Sequence, residues 1–165
     1  MHTSGCGVGF NIYTMNKLFP HVAEIRVSYT PAISDKPVIK SPLDAYVVLK
    51  QFFSDETIQL NERFVVMFLN KANRVLGVYP AHVGGITSTV VDIRLILSIA
   101  LKTVSTAVVL CHNHPSGSLK PSQQDIELTK RIVEAAKYME ITVQDHLIIS
   151  SEPGEYFSFA AAGLL

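Results

Sequence analysis

The chain has little cysteine, no excess of charge of either sign and no long apolar run, and each shortage removes a class of protein. Of 165 residues only two are cysteine, Cys6 and Cys111. They stand far apart in unlike surroundings, which excludes a disulfide framework and a cysteine-built zinc module and predicts the reducing cytoplasm. Lys and Arg number 14 against 14 Asp and Glu. Phosphate binding runs on clustered basic residues in excess, so this balance argues against DNA and against a charged membrane surface as partners. No segment approaches the ~18 apolar residues of a membrane span. The start of the chain holds one basic residue before position 20, Lys17, and no signal-peptide core. Internal repeats and low-complexity tracts are also absent.

What is present suffices for a single core, since 48% of the residues are hydrophobic. Residues 1–20 read as a disordered extension, with Met15 as an alternative start: the glycines of Gly5-Cys6-Gly7-Val8-Gly9 follow no strand, so they lack the context of a phosphate loop. Residues 21–41 read as an N-terminal strand, alternating from Val22 to Val27, and a proline-containing loop from Thr30 to Lys40. The main domain then occupies 42–165. Ser41-Pro42-Leu43-Asp44 opens a helix that the pattern carries to about residue 57. Arg63–Leu69 and Arg74–Tyr79 are apolar, β-branched runs joined by a polar turn, which predicts a hairpin. Asp92–Lys102 has helical spacing, and Thr106–Cys111 is a short buried-strand run that ends at His112. Ser122 caps a helix reaching about Met139, and strands follow at Ile141–Ile149 and Tyr156–Phe159. This alternation predicts an α/β fold: a three-layer α-β-α sandwich around a mixed sheet.

The chemistry is concentrated in His112-Asn113-His114-Pro115-Ser116-Gly117-Ser118-Leu119-Lys120-Pro121-Ser122-Gln123-Gln124-Asp125. Histidines at i and i+2 leaving a strand point the same way, so both imidazoles can reach one cation. The intervening loop can return the next helix to those rings, where Asp125 in its first turn adds a carboxylate. Three protein ligands leave the fourth tetrahedral position open, the mark of a catalytic rather than a structural zinc. Such an ion lowers the pKa of its water towards ~7, which predicts hydrolysis. The base must lie nearby without being a ligand, and Glu62, at the entry to the strand from Arg63, is the choice over Asp55 and Glu56. Ser122, at a helix N-terminus, is placed to stabilise an oxyanion. Cys111 adjoins His112, but neighbours on a strand face opposite ways, so it reads as core packing. Asp145-His146 reads either as a support for the metal ligands or as a hydrogen-bonded structural pair. His82 reads as a surface residue.

Glu62, His112-x-His114, Ser122 and Asp125 together resemble the JAMM (MPN+) zinc metallopeptidases. His112–Gly117, Pro121-Ser122-x-x-Asp125, Asp145–Ile149 and Tyr156–Ala160 extend the resemblance to the RadC branch, over about residues 42–165. The resemblance implies a JAMM/MPN fold of the cytidine-deaminase-like type and one zinc on His112, His114 and Asp125. It further implies water activated by Glu62, Ser122 assisting the tetrahedral intermediate, and a peptide or protein substrate cut at a peptide or isopeptide bond. Two departures stand out. Residues 1–40 contain nothing like the helix-hairpin-helix module of longer RadC-like chains, and Val91-Asp92-Ile93-Arg94 stands where that family often has Pro-Arg-Glu. The alternative is a non-catalytic, metal-containing module that holds a partner, with Gly84-Gly85 and Thr87-Ser88-Thr89 offering an edge strand. A DNA-repair accessory protein is a further alternative, which the charge balance opposes. The sequence leaves the oligomeric state open.

Overall fold

A computed structural model describes residues 29–30, 35–84 and 91–165. The expected extension over 1–20, the strand from Val22 and the Thr87-Ser88-Thr89 stretch lie outside those residues. The chain order is α1 (Pro42–Lys50), β1 (Arg63–Leu69), β2 (Val75–Val83), α2 (Ile93–Lys102), β3 (Ala107–Asn113), α3 (Gln123–Lys137), β4 (Thr142–Ile149) and β5 (Tyr156–Ser158). The strands form one sheet in the order β2-β1-β3-β4-β5. Its pairings are antiparallel except β3 with β4, so the sheet is mixed as expected. Parallel neighbours need a crossover, and α3 supplies it. None of the described helices is long and apolar enough to cross a membrane.

Side-chain alternation along β1 and β3 divides the core between the two faces. Val65, Met67, Leu69, Val109 and Cys111 pack with Ala45, Tyr46 and Leu49 of α1. Phe64, Val66, Phe68, Val108 and Leu110 pack with Ile96 and Ala100 of α2 and Ile132 and Ala136 of α3. The three predicted layers are therefore α1, the sheet, and α2 with α3. Both faces of β1 and β3 are covered, which explains their unbroken apolar runs.

Three expected boundaries move. The first helix ends at Lys50 rather than near residue 57. The chain leaves the helix after Gln51, and Phe53 and Ile58 from the following turns both join the α1-side core. The second hairpin strand runs on to Val83, paired with Arg63. The strand expected to stop before His112 instead carries His112 and Asn113, paired with Ile148 and Ile149 of β4. His82, expected at the surface, pairs with Phe64 in the ladder. Its Nε2 is buried with no hydrogen-bond partner among the described residues.

Candidate metal centre

The site sits at the carboxyl end of β3 and the N-terminus of α3, where open α/β sheets tend to bind ligands. His112 shares parity with Val108 and Leu110, so its ring lies on the α3 side of the sheet, fully buried. Phe64, its neighbour across the β1–β3 ladder, stacks on it with centroids 6.1 Å apart and planes 13° from parallel. His114 follows at i+2. A tight turn, with Gly117 N–H donating to the His114 carbonyl, places Gly117 at φ +75°, a conformation that glycine adopts without strain. The returning loop brings the Ser118 carbonyl to His114 Nδ1 at 2.7 Å. A carbonyl only accepts, so Nδ1 carries the proton, and the lone pair of neutral His114 is on Nε2, facing the site.

Asp125 arrives through a capping box. Its N–H donates to Ser122 Oγ at 3.1 Å, while the Ser122 N–H and O–H donate to Asp125 Oδ2 at 2.7 and 2.6 Å. This is the helix cap read from the sequence, and it aims the carboxylate at the histidines. Asp125 Oδ1 lies 3.2 Å from His112 Nε2, and Oδ2 lies 3.3 Å from His114 Nε2. The two Nε2 atoms are 3.0 Å apart. His112, His114 and Asp125 thus offer ligand atoms that all lie within 4.8 Å of one another, and they can hold a metal ion. Two imidazole nitrogens and one carboxylate are a donor set that suits a small divalent transition-type ion.

The electrostatics agree with such a site. Burial opposes ionisation of Asp125, but when the cluster carries a proton, hydrogen bonds from His112 and His114, the charge of His112 and the Ser122 hydroxyl outweigh it and hold the carboxyl well below the usual range. The Asp125 carboxylate raises His114 above its ordinary value against the opposing effect of burial, with the Ser118 carbonyl and the negative charge of Glu62 adding to the rise. Metal-free, the cluster attracts a proton to the place where a cation would lie.

Glu62 precedes β1 by one residue, on the same side as Phe64 by alternation. It is half-buried, and its carbonyl accepts the Gly84 N–H at 2.8 Å. The feature that sequence reasoning missed here is Asn113. Its side chain takes the opposite face from the histidines and grips the segment around Glu62. Nδ2 donates to the Ile58 and Asn61 carbonyls at 2.6 and 3.0 Å, and Oδ1 accepts the Arg63 N–H at 2.8 Å. Those partners lie about 50 residues away in sequence, so only its place between two candidate ligands hinted at them. Asp55 and Glu56, the weaker candidates for the base, lie in the turns after α1, where Asp55 pairs with Lys50 at 2.8 Å. Cys111 is buried on the α1 side with its thiol pushed well up, by burial first and by the charge of Asp145 second.

Asp145 and His146 serve different ends. Asp145 Oδ1 accepts the N–H groups of His146 and Ala160, and its Oδ2 accepts the Ser158 hydroxyl at 2.6 Å, which fastens the turn after β5. His146 lies beneath His112, with its Nε2 2.8 Å from His112 Nδ1. Burial, reinforced by repulsion from His112, pushes His146 well below the ordinary imidazole value.

Comparison with known proteins shows the family of the chain. The model of the RadC-like JAB domain family matches residues 39–164. A UPF0758 protein of Flavobacterium johnsoniae is 38% identical over 126 residues, which cover 76% of this chain and 53% of that protein. A UPF0758 protein of Porphyromonas gingivalis is 40% identical over 121 residues, 73% of this chain and 52% of its own. The chain thus spans about half the length of the curated relatives it matches.

Proposed function

Since this chain belongs to the RadC-like JAB domain family, we propose that it is a zinc-dependent hydrolase that cleaves peptide or isopeptide bonds, with a peptide or protein as substrate. The observation that supports this most directly is the convergence of His112 Nε2, His114 Nε2 and the Asp125 carboxylate, together with a second, non-ligand carboxylate, Glu62, whose charge reaches His114. Zinc, when bound by His112, His114 and Asp125, supplies Lewis acidity that activates water near neutral pH and polarises the carbonyl under attack.

The remaining work falls to side chains of this protein. Glu62 acts as general base, accepting the proton of the attacking water and passing it to the leaving amine. Its flanking backbone is clamped by Asn113, which fixes the segment that carries Glu62 instead of leaving it a free loop. Ser122 fastens Asp125 and stands at the N-terminus of α3, where its hydroxyl and the helix dipole favour negative charge developing on the scissile carbonyl.

The test has two stages. Purified protein should contain zinc, and His112→Ala with His114→Ala should lose it. With wild type cleaving a peptide library in a zinc-dependent way, Glu62→Gln should retain the metal and lose about 10²- to 10⁴-fold in rate. Zinc binding without cleavage of any peptide would favour a module that holds a partner, and full activity in Glu62→Gln would remove Glu62 as base.

A further inference from the structure

We infer that Thr129 and His146 form a positioning pair that decides which nitrogen of His112 carries the proton, and so keep the His112 Nε2 lone pair turned towards Asp125 and His114. The inference rests on the proposed metal site, but its main readout is the metal-free chain.

The contacts form one line of buried groups. Thr129 Oγ1 is 2.6 Å from the main-chain carbonyl of Asp125 and 2.6 Å from His146 Nδ1. His146 Nε2 is 2.8 Å from His112 Nδ1. Thr129, His146 and His112 are each 1% exposed or less, so water is not available to repair a misplaced proton. The carbonyl at one end can only accept. Were the threonine proton given to His146 instead, two oxygens would face each other at 2.6 Å with nothing between them. The hydroxyl therefore donates to the carbonyl, and its oxygen must accept from His146 Nδ1–H. A neutral His146 then presents a bare Nε2, which accepts from His112 Nδ1–H. That leaves the lone pair of neutral His112 on Nε2, the atom 3.2 Å from Asp125 Oδ1. The Ser118 carbonyl fixes the same tautomer in His114 from the other side.

Back-bonding of a helical threonine to the carbonyl four residues behind is ordinary by itself. The extra element is a dislocation in β4. The β3–β4 register runs Val108 with Val143, then Val109 with Asp145, so Gln144 is an extra residue in the ladder. Val143 packs on the α3 side, and strict alternation would send His146 to the α1 side along with Gln144. The inserted residue reverses the parity, so His146 lies under His112 while Leu147 and Ile149 pack towards α1. Bulges that re-aim a side chain are common beside functional sites. Phe159 stacks on His146 with centroids 4.6 Å apart, and Phe64 meets it edge-on at 5.5 Å, which holds the ring in plane.

Ring-nitrogen NMR of the metal-free protein at pH about 8, above the ordinary imidazole range, should show His112 protonated on Nδ1 and bare on Nε2. Thr129→Val keeps the side-chain shape and removes the acceptor for His146 Nδ1–H, so His112 should move to the Nε2-protonated tautomer. Zinc affinity, measured by competition with a chromophoric chelator, should fall about 10- to 100-fold in that variant, and Thr129→Ser should restore both readouts. Wild-type His112 protonated on Nε2 would overturn the inference, as would a folded Thr129→Val with unaltered tautomer and affinity. If wild type bound no zinc, the proposed function would fail while the tautomer still decided this inference. The wild-type spectrum also decides it if the valine variant does not fold.

Discussion

Cys111, His112 and Asn113 occupy three successive positions on β3 and do three unrelated things, because alternation sends each to the face its chemistry requires. Cys111 fills the α1-side core, His112 faces His114 and Asp125, and Asn113 clamps the segment around Glu62. The thiolate is the reactive form of cysteine, and burial both disfavours it and blocks access. In a Cys6→Ser background, Cys111 should therefore stay unmodified by iodoacetamide at pH about 8 while the protein is folded and label fully in denaturant, as followed by intact mass. Rapid labelling of folded protein would show that the α1-side core opens to reagent in the native state.

At the scale of elements, the end of α2 carries a strain that the sequence does not announce. Ser105 N–H bonds to the Ala100 carbonyl and Val104 N–H to the Leu101 carbonyl, the paired bonds of a Schellman close. That motif needs a left-handed residue, and Val104 supplies it at φ +54° while 78% exposed. A β-branched side chain is poorly suited to this conformation, by about 1–2 kcal/mol, and glycine gives back about 0.5–1 kcal/mol in unfolded-state freedom. Val104→Gly should thus stabilise the protein by up to about 1 kcal/mol, seen as a higher urea midpoint at an unchanged slope. A lower midpoint would mean that the valine makes apolar contacts worth more than the backbone strain.

For the molecule as a whole, a bound ion should add stability by mass action. Zinc at about 100 times its Kd is expected to contribute about 2.7 kcal/mol, raising Tm in wild type, reversibly with EDTA, and leaving His112→Ala unmoved. An identical Tm with and without zinc would count against the site. The parts of this molecule legible in the sequence are those set by short spacing. His112, His114, Ser122 and Asp125 lie within one strand-loop-helix stretch, so their residue types and intervals already implied convergence. The layered α/β fold followed likewise from local apolar periods. What was not legible depends on distant packing. His146 reaches His112 across 34 residues and Thr129 across 17, through a parity change at Gln144 that no hydrophobic pattern marks. Phe53 and Ile58 join the α1-side core from turns past the end of α1, and the grip of Asn113 depends on a loop folded much earlier in the chain. One further consequence follows from the capping box. Small zinc modules collapse when stripped because their ligands have no other employment. Asp125 here has a standby occupation, fastening the first turn of α3 through Ser122. On the proposed zinc reading, the polypeptide should finish folding first and take up the ion afterwards, and chelation should return it to a native, reloadable state and not to an unfolded one.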